Sequence, residues 1–203
     1  MVRSMQDKTA PSDLTGQLLI AMPGMSDPRF AGAVVFLCAH SPEGAMGLIV
    51  NRPIPELSFP EMLEQLGVKS KGPPAMPVCF GGPVETSRGF VLHGAGYCPP
   101  GRRNTQEASD GFMRIDPGFA MSSTIDVLED IAGGNGPGHA LVMLGYSGWG
   151  PQQLEAEIAL NGWLTCKAAP DLVFGPKMEA KWEAALATLG VDPLLLSTQA
   201  GRA

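Results

Sequence analysis

His139-Ala-Leu-Val-Met-Leu-Gly-Tyr-Ser-Gly-Trp-Gly-Pro-Gln-Gln-Leu-Glu-Ala-Glu-Ile-Ala-Leu-Asn-Gly-Trp163 passes from an unbroken apolar run through three glycines into a helical pattern. Ala140 to Leu144 predicts a buried strand. Gly145, Gly148 and Gly150 predict a turn, and Pro151 fits the first helical position, where its missing N–H costs nothing. A strand-turn-helix unit of this kind offers free amides and the positive end of a helix dipole. That suits an anion or carboxylate, although many such units only connect packed elements.

Upstream of that segment, Gln17 to Met22 predicts a strand stopped by Pro23-Gly24, and Ala33 to His40 a second after the turn Asp27-Pro-Arg-Phe30. Met46 to Asn51 predicts a third, which Arg52-Pro-Ile-Pro55 must end because proline cannot continue a ladder. Ser58-Phe-Pro-Glu61 has the form of a capping box opening a short helix with Met62, Leu63 and Leu66 on one apolar face. Val78 to Phe80 and Phe90 to His93 predict strands on either side of Gly81-Gly-Pro-Val84. A long connection, Tyr97 to Gly111, precedes a strand from Phe112 to Asp116. Ser123-Thr-Ile-Asp126 then opens a helix with Ile125, Leu128 and Ile131 inward, terminated by Gly133-Gly134.

Downstream, Leu164 to Lys167 and Leu172 to Phe174 predict strands. Pro176 to Leu189 predicts a helix in which Met178, Trp182, Leu186 and Leu189 recur at helical spacing before Gly190, so Trp182 is expected in the core. Strands outnumber helices without alternating strictly with them, which indicates an α+β domain rather than a doubly wound sheet.

A chain of 203 residues that is 44% hydrophobic is long enough for one well-buried core and short for two. The expected organisation is a tail over residues 1–13, a single domain over 14–192 and a second tail over 193–203. The 26 glycines and 19 prolines have no repeat period and mark tight turns. With 14 basic against 20 acidic residues, the net charge of −6 argues against direct nucleic-acid binding. Lys69 with Lys71, and Arg102 with Arg103, fall in Gly/Pro-rich sequence expected to form solvated turns. Four cysteines without a Cys-x-x-Cys pair, and no apolar leader, lead to the expectation of a reduced, cytoplasmic protein. No apolar run approaches the roughly 18 residues of a membrane span, so no membrane partner is expected.

The chemistry such residues could carry is narrow. Gly145-Tyr-Ser-Gly-Trp-Gly150 approaches a nucleophile elbow, but Trp149 stands where glycine is required and every histidine precedes Ser147, the wrong chain order. Cys38 and His40, two apart on a strand, would share one face, as a fragment of a metal or thiolate site, or simply as packed side chains. Glu155 and Glu157 diverge by roughly 200° around a helix and cannot act as one acid/base pair. Asn51-Arg52 places a bidentate fork at a strand end. The expected ligand or partner surface therefore comprises Asn51, Arg52, Gly81, Gly82, Tyr146, Ser147, Trp149 and Glu155. The alternative is that Trp149 plugs the core and the glycines only turn the chain. No catalytic group, closed metal-ligand set or cofactor motif is present at recognisable spacing.

Three blocks acquire further meaning together: Met46-Gly-Leu-Ile-Val-Asn-Arg-Pro53, Gly81-Gly-Pro-Val84, and Gly145-Tyr-Ser-Gly-Trp-Gly-Pro151 followed by Gln153-Leu-Glu-x-Glu157 and Asn161-x-Trp163. In this order and spacing the chain resembles the YqgE/AlgH family of bacterial proteins, from about Leu14 to Gly190. The resemblance implies a single compact α+β domain with a mixed, partly barrel-like β-sheet flanked by helices, in the bacterial cytoplasm. It carries a label of transcriptional regulation tied to alginate control, and no agreed catalytic mechanism or cofactor. Gln152 stands where the pattern often has a small residue. No helix-turn-helix with a basic recognition helix is present. The expected function is a regulatory or binding module acting through a small ligand or protein partner. A regulator binding DNA directly comes second and an enzyme of unknown reaction third.

Overall fold

In the computed structural model, which describes residues 13–70, 72, 74–99, 111–175 and 177–196, the strand expected to stop at Leu144 continues through the glycines to Trp149. The elements run β1 Gln17–Ala21, β2 Val34–Ser41, β3 Gly44–Ile49, β4 Pro53–Ser58, α1 Phe59–Gln65, β5 Pro77–Phe80, β6 Val84–Gly94, β7 Phe112–Arg114 and β8 Phe119–Ser122. They continue with α2 Ile125–Ala132, β9 Ala140–Trp149, α3 Gln153–Ala159, β10 Trp163–Lys167, α4 Pro170–Phe174 and α5 Lys181–Thr188.

The strand order is β10-β1-β2-β3-β9-β6-β8-β7, antiparallel throughout, while β5 lies parallel to β9 and carries β4 on its other edge. β9 is the hinge of this mixed sheet. Its first half pairs with β5 and β6, and its last three residues pair with β3. Such a sheet curls into the half-barrel of a single α+β domain.

Both faces of the central strands are covered, which is why β1 reads as an uninterrupted apolar run rather than an alternating one. Leu18 and Ile20 face a core closed by α4 and α5 through Val173, Ala185 and Leu186. Leu19 and Ala21 face the opposite way, toward Trp149, Leu154 of α3 and Trp163. A third cluster packs α1 and α2 through Phe59, Leu63 and Val127 onto Val78, Val91 and Val142.

Several expectations are corrected. The glycines at 145 and 148 do not form a turn, because Gly47, Met46 and Ala45 of β3 supply a ladder for Ser147, Gly148 and Trp149. The chain turns only at Gly150 to Gln152. Gln152, at φ 60°, is the residue before α3, so Pro151 is not the first helical position. Nor is the turn a set of free amides, since Gln153 Oε1 accepts from the Gly150 amide at 3.0 Å.

Pro53 and Pro55 end β3 but do not end strand structure, because β4 is an edge strand paired on one side only, where a missing N–H is tolerated. β6 starts at Val84 rather than Phe90, and β8 is a strand that the sequence pattern does not signal, because its four buried residues are too short to show a period. Leu172 to Phe174 is helical, opened by Pro170 at its first position. The last long helix is divided into a helical turn, Met178–Ala180, and α5. Trp182 is half-buried and donates its indole N–H to the Ala21 carbonyl at 2.9 Å. The capping box at α1 is present in both directions, with Ser58 accepting from the Glu61 amide and Glu61 from the Ser58 amide. Residues 1–12 and 197–203, Lys71, and the Arg102-Arg103 pair lie outside the described residues.

Candidate functional site

The residues expected to form a surface meet one another, but with polar groups already engaged. Asn51 accepts from the Val34 amide and donates to the Gly32 carbonyl, each at 2.9 Å. Arg52 spends its fork on the carbonyl oxygens of Arg29 and Ala31. Together they pin the loop that presses Phe30 against Trp149 and Trp163, with ring centroids 6.2 and 5.6 Å away. Trp149 is only 6% exposed.

Gly81 and Gly82 lie where backbones cross. A Cβ on Gly81 would come within 2.3 Å of the Gly145 carbonyl oxygen, and one on Gly145, at φ 72°, within 2.4 Å of the Gly82 oxygen. Ser147 is buried with its hydroxyl 3.3 Å from the Gly81 carbonyl, and Tyr146 packs edge-on to Phe90. Glu155 stands apart, 3.0 Å from His40 Nε2, while His40 Nδ1 accepts from the Leu14 amide. Cys38 and His40 do not share a face: a bulge between Leu37 and Ala39 sends Cys38 into the α5 side and His40 toward α3. Among the described residues, no three His, Cys, Asp or Glu side chains converge as a metal set.

A concave site lies elsewhere. A cavity of about 440 Å³ opens between α1, α2 and the β6-β8-β9 face, and it borders none of the eight residues above. Val91 and Val142 form its floor, Met62 and Leu128 its walls. Leu66 and Ile125, which helical spacing assigned to the interior, are instead 48% and 42% exposed at its rim. Between Val84 and Gly89 the pairing of β6 with β9 is interrupted, so that Gly89 borders the cavity with open space where a side chain would stand.

One end of the cavity is polar, formed by the consecutive hydroxyls of Ser122, Ser123 and Thr124 where β8 passes into α2. Ser122 is tied down from behind. His93, wholly buried, bonds the Gly94 carbonyl through Nδ1 and Ser122 Oγ through Nε2, each at 3.0 Å. A carbonyl can only accept, so Nδ1 carries the proton and the Ser122 hydroxyl donates to Nε2. Burial holds the imidazole below its ordinary pKa, aided by the Arg114 charge and opposed by the Gly94 carbonyl. Thr124 Oγ1 is buried, makes no cap bond to α2 and has no partner among the described residues.

With this geometry in hand, the family model DUF179, described as AlgH-like, matches residues 18–194. The chain belongs to the AlgH-like family. It is 60% identical over 192 residues to a UPF0301 protein of Jannaschia sp. (strain CCS1), covering 94% of this chain and 96% of that protein. The solution structure of the AlgH protein from Pseudomonas aeruginosa is similar at 43% identity and a TM-score of 0.71, covering 100% of both chains. An X-ray structure of a protein from Corynebacterium diphtheriae, 19% identical with a TM-score of 0.66, covers 100% of this chain and 95% of that one and shares the fold.

In this AlgH-like chain the cavity left two marks in the sequence. Ser122-Ser-Thr124 is two hydroxyls longer than a helix start needs, and Leu66 and Ile125 are apolar residues at helix ends. Neither mark reveals that α1 and α2 stand side by side, which only the β6-β8-β9 pairing decides.

Proposed function

We propose that the protein is a regulatory binding module that holds a small, largely apolar molecule in the cavity between α1 and α2. The supporting observation is the coincidence of that cavity with exposed Leu66 and Ile125 at its rim. Scattered exposed leucines need no explanation, but apolar residues ringing a concavity of about 440 Å³ have the size and composition of a small-molecule site. Regulation would then follow from a surface formed by α1 and α2 that differs between the free and occupied states. Direct DNA contact is a weaker candidate, since a net charge of −6 must be overcome by small basic groupings.

A thermal-shift screen of apolar small molecules tests this, because a ligand of the native state raises the unfolding midpoint. Hits should lose their effect in Gly89→Leu, which places a side chain at the cavity's open border. Hits that act equally on that variant would remove the cavity from consideration.

A further inference from the structure

We infer that the cavity selects an uncharged amphipathic molecule: an apolar body with one neutral hydrogen-bonding group, a hydroxyl or an amide, directed at Thr124. The inference rests on the binding-module reading above and names the ligand class of the same site.

The chemistry of the wall excludes charge. None of the lining side chains is ionisable; the polar ones are Gln65, Ser87, Ser122, Ser123 and Thr124. An ionised head group entering such a cavity would lose its hydration without gaining a counter-charge, which is costly.

The same wall asks for a hydrogen bond. Ser122 is wholly buried and has already given its proton to His93, so it is taken up by the fold. Thr124 Oγ1, buried and unpartnered, can donate or accept. A ligand hydroxyl or amide can donate to or accept from Thr124, whereas a hydrocarbon leaves Thr124 as it is. At about 30 Å³ per water-sized group, the volume limits the guest to on the order of fifteen non-hydrogen atoms.

The experiment compares octanol, octanamide, octanoate, octylammonium and octane at neutral pH. Thermal shift is read on the full chain, alongside methyl NMR shifts of Ile125, Leu128 and Val142. Octanol and octanamide should raise the midpoint by roughly 3–6 °C at ten times Kd and move those methyls, and both ions should be at least tenfold weaker. Thr124→Val should weaken octanol and octanamide by roughly 2- to 10-fold, the weight of one neutral hydrogen bond, and leave octane unchanged.

Equal or tighter binding of octanoate or octylammonium, with the same methyls moving, overturns the charge selectivity and leaves the binding module standing. Octane binding as tightly as octanol overturns the hydrogen-bonding group alone. If no probe moves the cavity methyls, both readings fall, and that outcome does not depend on any variant folding.

Discussion

Trp149 donates its indole N–H to Glu157 Oε2 at 2.9 Å, and the same oxygen accepts from Trp163 at 2.8 Å. Gln153 donates to the other carboxylate oxygen at 2.9 Å, so one half-buried glutamate on α3 orients two tryptophans from β9 and β10, strands that β1, β2 and β3 separate in the sheet. The rings meet edge to face with centroids 5.9 Å apart, under Phe30.

Trp149→Ala should therefore cost about 3–5 kcal/mol, the range for emptying an aromatic core position. Glu157→Gln should cost about 1–2 kcal/mol, because charge-assisted bonds are exchanged for neutral ones. Urea unfolding measures both. A loss below about 1 kcal/mol for Trp149→Ala would mark it as a surface residue.

Local rules were readable where a local cause decides the outcome. The capping box at Ser58 and Glu61 and the first strands follow from side-chain chemistry and periodicity within a few residues. The course of β9 does not. Gly145-Tyr-Ser-Gly-Trp-Gly150 has the composition of a turn, and only β3, a hundred residues earlier in the chain, makes it a strand by offering Gly47, Met46 and Ala45 as partners. The same holds for Arg52, whose fork looked available for a ligand until the loop at Arg29 to Ala31 folded back onto it.

That contrast makes two glycines three residues apart unequal. Gly145 has φ 72° and its Cβ would collide with the Gly82 carbonyl, whereas a Cβ on Gly148 meets nothing closer than 3.5 Å. Gly145→Ala should cost about 2 kcal/mol or more from backbone strain and collision, and Gly148→Ala less than about 1 kcal/mol. Equal effects would contradict the strand crossing at Gly145.

Lys181 is 1% exposed on α5, with its ammonium bonded to the Val173 carbonyl. Burial pulls its pKa from 10.5 down to about 8, and the nearby Cys79 thiol acts weakly in the other direction. A charge kept at pH 7 under such conditions destabilises the fold, so Lys181→Met, which preserves the stem volume, should raise stability by about 1–3 kcal/mol. The penalty is full below pH 8 and fades as pH climbs toward 10.5, where the lysine is neutral in both states. The advantage of Lys181→Met should accordingly shrink between those limits. Unfolding by guanidinium at a series of pH values will show it; an advantage that grows with pH would contradict the burial of a charged group.

His93 has a folded-state pKa below its ordinary 6.5, with burial the largest cause. The folded chain therefore holds the imidazole neutral, donating to Gly94 and accepting from Ser122, at pH values where the unfolded chain has begun to protonate it. The stability this supplies is complete above pH 6.5 and is lost as pH falls from there through the folded-state value. Carboxylates whose pKa values are lowered, such as Asp27 and Glu61, lose their contribution only below the usual carboxylate range, so the window from about pH 7.5 to 5 is free of them. His93→Gln can keep an acceptor toward Ser122 and a donor toward Gly94 but does not titrate. Its stability should be the flatter of the two across that window, and the wild-type advantage at pH 7.5 should narrow steadily toward pH 5. Parallel curves for the two proteins would mean that the fold leaves the His93 pKa where it is in the unfolded chain, and a wild-type advantage that widens toward pH 5 would mean that the folded imidazole is protonated.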